Sequence, residues 1–362
     1  MAKVTTSIDF LPLGLALLII CVLGVMGNIL CAIVLSRARM RSTYSILTLG
    51  LTFCDALYLL TKLIRYGLLS MFVYFDIFDW YTEIFYPIVG PHLRAITFTA
   101  HTGSTYFTMI VAIDRYISIN WPVEARFLCT RRRAVVSMIG VFLFSILYNI
   151  PRWFEFHTED FPCPKADLNN DNATSLSSCT VYKMEQSQLR SDPEYKLYYI
   201  FWSYFVIMFL VPFTSLSYFN FTIFTAIKRS SKARQKMTSQ QKRDASFALM
   251  LFSVVIVFLV CSVDYLILDI LSYLRIPYDS FWDKLGNFLL SLNSAANFII
   301  YCAFGKKFRK EFFLFLNEIS GGRWYADEVA STSKIYTNSA VSGTDNTTVT
   351  KVQNTATAIT LL

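Results

Sequence analysis

The chain has 362 residues, of which 54% are hydrophobic, 16% aromatic and only 16% charged, with a formal net charge of +8. A soluble domain averages roughly 45–50% apolar and 25% charged residues, so a water-soluble globule is a poor account of this composition. The basic balance falls in short segments between apolar blocks, where contact with anionic lipid explains it without nucleic acid.

After a short segment, residues 1–9, the first apolar block covers residues 10–35. A spanning helix needs about 20 mostly apolar residues, because the hydrocarbon core is about 30 Å thick and each residue rises about 1.5 Å. The block is too long, and lacks the flanks, for a cleaved signal peptide. Six further blocks follow near 44–72, 87–120, 134–154, 197–227, 245–274 and 282–304. Backbone groups in lipid must be satisfied within the segment, which makes each block a helix. None alternates every second residue as a barrel strand does, and no internal repeat appears.

Lys and Arg orient the helices. The segments after the first, third, fifth and seventh blocks are basic (Arg37, Arg39 and Arg41; then Arg131, Arg132 and Arg133; then Lys228, Arg229 and Lys232; then Lys306, Lys307 and Arg309). The intervening ones lean acidic, with Asp76, Asp79, Glu83, Glu155, Glu159, Asp160 and Asp167. The N-terminus is therefore expected outside and the C-terminus inside. Among eight cysteines, Cys163 and Cys179 alone fall on the outer side, where disulfides persist. The Asn172-Ala173-Thr174 sequence beside them is a glycosylation acceptor on the correct side.

Beyond the seventh block, residues 305–317 place Phe308, Phe312, Phe313 and Leu316 on one face, with basic residues between. That pattern predicts an amphipathic helix on the inner membrane surface. Residues 318–362 are rich in Ser and Thr and poor in large apolar residues, which predicts a disordered cytoplasmic tail. The predicted fold class is all-α: a bundle of seven transmembrane helices over residues 10–304, then the surface helix and the tail.

Polar side chains inside a membrane are costly, so each marks a functional candidate. Here they include Asn28, Asp55, Asp114-Arg115, Asp264, Asp269, Asn293 and Asn297. With Gly27-Asn28, Leu51 and Asp55, Asp114-Arg115-Tyr116, Trp121-Pro122, Pro212, Phe258 and Cys261, Asn293-Ser294, and Asn297 through Tyr301, the chain resembles the rhodopsin-like G-protein-coupled receptors over residues 15–315. A narrower set, Ala125-Arg126, Leu128-Cys129-Thr130, Arg133-Ala134 and the run Tyr148 to Glu155, looks like the invertebrate FMRFamide-type neuropeptide receptors. There are departures. Gly90 stands where the family has the cysteine of the third helix. Ser262 and Asp264 replace the usual Trp and Pro of the sixth, Phe298 replaces the Pro after Asn297, and Val141 stands near the fourth-helix Trp. With no third-helix cysteine, Cys163 and Cys179 are left to pair with each other.

The resemblance implies roles. Arg115, between Asp114 and Tyr116, would reach Asp244 at the start of the sixth helix and hold the resting state, with Tyr301 part of the same coupling surface. A heterotrimeric G protein would bind there on activation, and arrestin would bind the phosphorylated tail. Asp55, Ser104, Asn293, Ser294 and Asn297 match the family's sodium cluster. The same oxygen-bearing groups also make a water-filled network without any ion. Thr97 occupies the position where amine receptors carry Asp, and no Lys lies between Leu285 and Phe304 for a retinal Schiff base. The acidic outer segments, with Asp264 and Asp269 inside the membrane, point to a cationic ligand, and the resemblance to FMRFamide-type receptors implies that it is an extracellular, amidated peptide. Its expected contacts are Asp264, Asp269, Tyr265, Thr97, His101, Asp283, Glu159 and Asp160.

Two other readings stand beside this one. A transporter or channel would show inverted repeats or broken helices. A receptor-like protein with an altered activation switch would keep the fold and lose signalling. No nucleophile–base set, metal-ligand spacing or phosphate loop appears in an aqueous segment, which argues against an enzyme and leaves no cofactor beyond the sodium ion.

Overall fold

The computed structural model describes residues 2–162, 180–232, 256–258, 260–264, 267–268, 270–271, 274, 276–277 and 279–320. The calls on Cys163, Cys179, Asn172, Asp244, Tyr265, Asp269 and the tail beyond residue 320 lie outside the described residues. The chain divides into two compact units, Met1–Arg309 and Lys310–Leu362.

The first unit is built of long helices. α1 runs Ala2–Ser36, well before the expected start at residue 10. α2 covers Thr43–Lys62, capped by Ser42, whose hydroxyl accepts the Ser45 N–H. It continues through a π-helical turn, Leu63–Leu68, into Leu69–Phe75. Asp76, at φ 54°, ends it in the left-handed region, where a short polar side chain is tolerated. α3 is Tyr86–Asn120, preceded by a π-helical turn at Tyr81–Phe85. α4 is Arg131–Tyr148, followed by a 3-10 turn at Ile150–Phe154.

Two antiparallel strands follow on the outer side, β1 (Phe156–Pro162) and β2 (Thr180–Gln186). Their register runs from Phe156 opposite Gln186 to Pro162 opposite Thr180. α5 is Val211–Lys232, approached through π-helical stretches Lys196–Ser203 and Phe205–Leu210. The described parts of the sixth block are helical at 256–258, 260–264, 267–268 and 270–271. α7 is Ser280–Phe304, capped by Asp279, and α8 is Lys306–Ile319. Gly305 marks the break between them, its N–H donating to the Tyr301 carbonyl at 2.9 Å.

Among the described residues, five segments are long and apolar enough to cross a membrane. α3 is equally long but carries His92, Arg94, Asp114 and Arg115, which lowers its hydropathy. The outward face of α4 shows why lipid is needed: Val136, Ile139, Leu143 and Leu147, at helical spacing, are all exposed. Soluble monomers rarely leave so large an apolar face bare.

Without a hydrophobic drive between helices in lipid, close packing of small residues matters most. A Cβ on Gly24 of α1 would fall 2.7 Å from the Ala295 Cβ of α7, so the glycine sets how near those helices lie. Likewise a Cβ on Gly50 of α2 would meet the Phe107 ring of α3 at 2.5 Å. Polar cross-links fix the arrangement further. Asn149 of α4 donates to the Thr102 hydroxyl of α3 at 2.9 Å, and the Tyr106 hydroxyl donates to the Ile207 carbonyl at 3.0 Å. The buried threonine hydroxyls of α2 and α3 return to carbonyls of the preceding turn, as Thr48, Thr52 and Thr105 do.

Candidate functional site

Three levels of the first unit carry chemistry. At the outer end lies a cavity of about 400 Å³, reached by side chains of α2, α3, α7 and the segments before α5. The π-helical turns all lie in the outer halves of α2, α3 and α5, and such turns re-aim side chains, often at functional sites. Thr97, His101 and Asp283, expected as ligand contacts, do line the cavity. Thr97 donates to the Leu93 carbonyl at 2.6 Å, and the His101 ring lies 5.4 Å from that of Tyr58. Glu159 and Asp160 instead sit exposed on β1, with Glu159 2.8 Å from His157. Asp264 is half-buried and does not line the cavity. Its Oδ2 points at Gly286 of α7, where a Cβ would come within 2.7 Å.

The cavity wall is chiefly basic. Among the described residues, Lys62, Arg65, Arg94, Arg152 and Arg190 line it, with Asp283 as the one lining carboxylate. Glu155, fully buried behind three of them, accepts Arg152 Nη1 at 2.8 Å and Arg94 Nε at 3.3 Å, with Arg190 Nη1 at 3.9 Å. The Tyr195 hydroxyl donates to the same carboxylate at 2.9 Å. One side chain thus joins α3, the end of α4 and the approach to α5, at the foot of the hairpin. The hairpin is held beside it by Ser187, whose N–H donates to the Glu155 carbonyl and whose hydroxyl donates to the Phe154 carbonyl. Thr158 donates to the Pro87 carbonyl of α3 at 2.8 Å. Gly90 faces Met184 of β2, a Cβ there falling 3.4 Å from the sulfur.

None of these basic residues had been picked out as a ligand contact. The rule that flagged Asp55 and Asp264 applies equally to Lys62 and Arg65 in the outer half of α2, and Arg94 sits in α3 on the same terms. The signal was present. What the sequence could not show is that the three meet, since that depends on the π-helical turn and on α2–α3 packing.

In the centre, both oxygens of the buried Asp55 carboxylate are engaged: Oδ1 accepts from Ser104 at 2.6 Å, Oδ2 from Asn297 at 2.7 Å. Asn28 Nδ2 donates to the Gly24 carbonyl and, at 3.1 Å, to the Ser294 carbonyl. Its Oδ1 is buried without a hydrogen-bond partner among the described residues. Asn293 is half-buried on the same helix. The structure therefore brings Asp55, Ser104, Ser294 and Asn297 together, as the spacing could not.

At the end of the bundle opposite the cavity, Arg115 Nη2 pairs with Asp114 at 2.7 Å and its guanidinium lies 4.7 Å from the centre of the Tyr44 ring. Tyr116 packs on Trp121 and Phe219, each at 5.1 Å between ring centres. Cys129 lies in the following loop, its Sγ 3.8 Å from the Asp114 carbonyl. Burial pushes its thiol up from the usual range, and the charge of Asp114 adds to the shift. Tyr301 is buried near Phe308, with 5.9 Å between rings.

Comparison with known proteins points one way. The family described as 7 transmembrane receptor (rhodopsin family) matches residues 27–301. The chain is similar to a FMRFamide receptor of Drosophila melanogaster, 34% identical over 307 residues, covering 85% of this chain and 54% of that one. It is similar to a FMRFamide peptide receptor of Caenorhabditis elegans, 26% identical over 308 residues, covering 82% and 67%. A neuromedin-U receptor 2 of Mus musculus is 26% identical over 318 residues, covering 83% and 74%. The chain thus spans about half the length of the Drosophila relative.

Proposed function

The chain belongs to the rhodopsin family of seven-transmembrane receptors, and from that premise we propose that it is a plasma-membrane receptor for an amidated neuropeptide of the FMRFamide kind. The family is one of receptors, not enzymes. One observation supports the ligand class above the rest: a roughly 400 Å³ outer cavity mixes aromatic and charged side chains, in a chain whose relatives carry FMRFamide in their names. That cavity admits the end of a peptide rather than all of it.

In this reading the N-terminus is extracellular and Asn172 carries glycan. The ligand's arginine addresses the side of α7 and the sixth block, where Asp283 lines the cavity and Asp264 packs against Gly286. Asp269 and Tyr265 belong to the same side by sequence. Occupancy releases Arg115 from a pairing with Asp244, and Arg115, Tyr116 and Tyr301 then serve the G protein. The tail, once phosphorylated, serves arrestin. Asp55 with the Ser104 hydroxyl is an oxygen donor set suited to sodium, and Asn293, Ser294 and Asn297 would complete it.

The test is expression in mammalian cells and challenge with synthetic peptides ending in Arg-Phe-amide. Dose-dependent G-protein activation is expected. Silence toward all of them, with the receptor at the surface, overturns the ligand class; silence toward amidated peptides at large supports a receptor-like protein with an altered switch. Asp283→Asn and Asp264→Asn separate the acidic contacts. Loss of a charge-assisted hydrogen bond of about 1.5–3 kcal/mol raises the half-maximal concentration about tenfold to a hundredfold.

A further inference from the structure

Among the described residues, the basic wall of the outer cavity is not neutralised from within. Glu155 serves Arg94, Arg152 and Arg190 together, each at 3.9 Å or less. Lys62 and Arg65 of α2 have no such partner: among the described residues no carboxylate comes within ion-pair distance of either. Both are nearly fully buried, Lys62 at 5% and Arg65 at 4% exposure. Lys62 donates to the Asn287 side-chain oxygen of α7 and stands 4.7 Å from the centre of the Tyr66 ring. The Arg65 guanidinium stands 5.0 Å from that same ring, its Nη1 makes a long, 3.4 Å bond to the Thr97 hydroxyl, and the Tyr86 hydroxyl is a second hydrogen-bonding neighbour. The Arg65 Nε is buried with no hydrogen-bond partner among the described residues.

Aromatic faces offset a part of such burial, but two desolvated cations without a carboxylate are expensive. Neighbouring Arg94 increases the excess, since its own carboxylate is shared three ways. Planar guanidinium groups with free N–H edges match a carboxylate in bidentate geometry. We propose that the ligand of this receptor presents a carboxylate, seated between Lys62 and Arg65 of α2 and Arg94 of α3. Taken with the peptide reading on which it rests, the ligand is then dipolar: its arginine faces Asp283 across the cavity, and its carboxylate faces α2. The carboxylate comes from an acidic side chain or from an unamidated C-terminus. The C-terminal amide of the proposed peptide class is neutral, so an acidic side chain is the source that agrees with that reading.

The experiment has two arms. In the first, purified receptor in nanodiscs is melted with N-acetyl-Asp-Phe-amide, with its Asn counterpart, and with chloride alone. The expected result is a melting-temperature rise with the Asp probe only, lost in both Lys62→Gln and Arg65→Gln. The two variants are read side by side, with Arg65→Lys as the charge-keeping control, so that one failing to fold leaves the other. In the second arm, Asp-Phe-Met-Arg-Phe-amide, its Asn analogue and the free-acid form of the Asn analogue are compared in signalling. The Asp peptide is expected to be about tenfold to a hundredfold more potent than the Asn peptide on the parent receptor. The ratio should fall to near one on Arg65→Gln. Greater potency of the free acid than of the Asp peptide assigns the site to a C-terminus. Equal melting shifts for Asp and Asn probes, a shift that survives in the variants, or a full effect from chloride alone overturns the proposal. Failure of every peptide to signal while the Asp probe still stabilises the parent sinks the peptide reading and leaves the carboxylate site standing.

Discussion

Arg94 Nε of α3 lies 3.3 Å from the Oε2 of Glu155, a carboxylate with no exposed surface at the foot of the outer hairpin. Arg152 takes the other oxygen at 2.8 Å. Removing one partner of a buried pair leaves uncompensated charge, at about 3–5 kcal/mol. Glu155→Ala is therefore expected to lower the melting temperature of the detergent-solubilised receptor by several degrees and to reduce surface expression. Arg94→Ala on top of Glu155→Ala should lose less than the sum of the two single changes. A melting curve unchanged by Glu155→Ala would show that the cluster holds nothing together.

The lock at the cytoplasmic end is predicted from Arg115, already paired with Asp114 and set against Tyr44. Asp244→Ala should raise signalling without ligand, and Arg115→Ala should abolish coupling. The measurement is basal G-protein activation at equal surface expression. Identical basal activity of Asp244→Ala and the parent would count against a restraint by Asp244.

Asp55 answers whether the central cluster holds an ion or water. If sodium binds there, agonist potency on the parent changes when sodium replaces choline in the medium. Asp55→Asn should make potency indifferent to that exchange, because the charged ligand is gone. A parent receptor that does not notice the exchange has a water-filled network at Asp55, Ser104 and Asn297.

The hairpin ladder ends with Pro162 opposite Thr180, one step short of Cys163 and Cys179 in sequence. Peptide mapping under non-reducing conditions should recover a Cys163–Cys179 crosslink. Closing a loop of about 15 residues is worth roughly 3 kcal/mol in the chain-entropy model, so reduction should lower thermal stability by that order. Free thiols at both positions refute the pairing.

Helix number and order were legible because each helix must satisfy its own backbone in lipid, and an apolar run of the right length has no other solution. Asp55 and Asn297 were legible one by one for a different reason: charge and amide in a spanning segment stand out against their surroundings, and the family resemblance, not the spacing, put them in one cluster. The outer cavity was less legible. Acidic loop residues were read toward a cationic ligand, and one of them, Glu155, faces inward, where it meets three arginines. Loop charge is a one-dimensional count. Whether a loop carboxylate looks at solvent or at Arg94 depends on how the chain turns after α4, where Ile150–Phe154 tighten into a 3-10 turn. α1 extends back to Ala2, beyond the apolar block that begins at residue 10, because Lys3, Thr5 and Asp9 dilute the apolar signal without breaking a helix.

Gly90 has its own consequence. Where a disulfide would bind the hairpin to α3 for the life of the molecule, this chain has a methionine contact, a threonine hydrogen bond and the Glu155 charges. A covalent tether has one state. A tether of hydrogen bonds and ion pairs has two, held and released, in equilibrium. Its strength is set by the charges around Glu155, so single substitutions at Arg94 or Arg152 should loosen the hairpin, read as faster hydrogen exchange of its ladder amides.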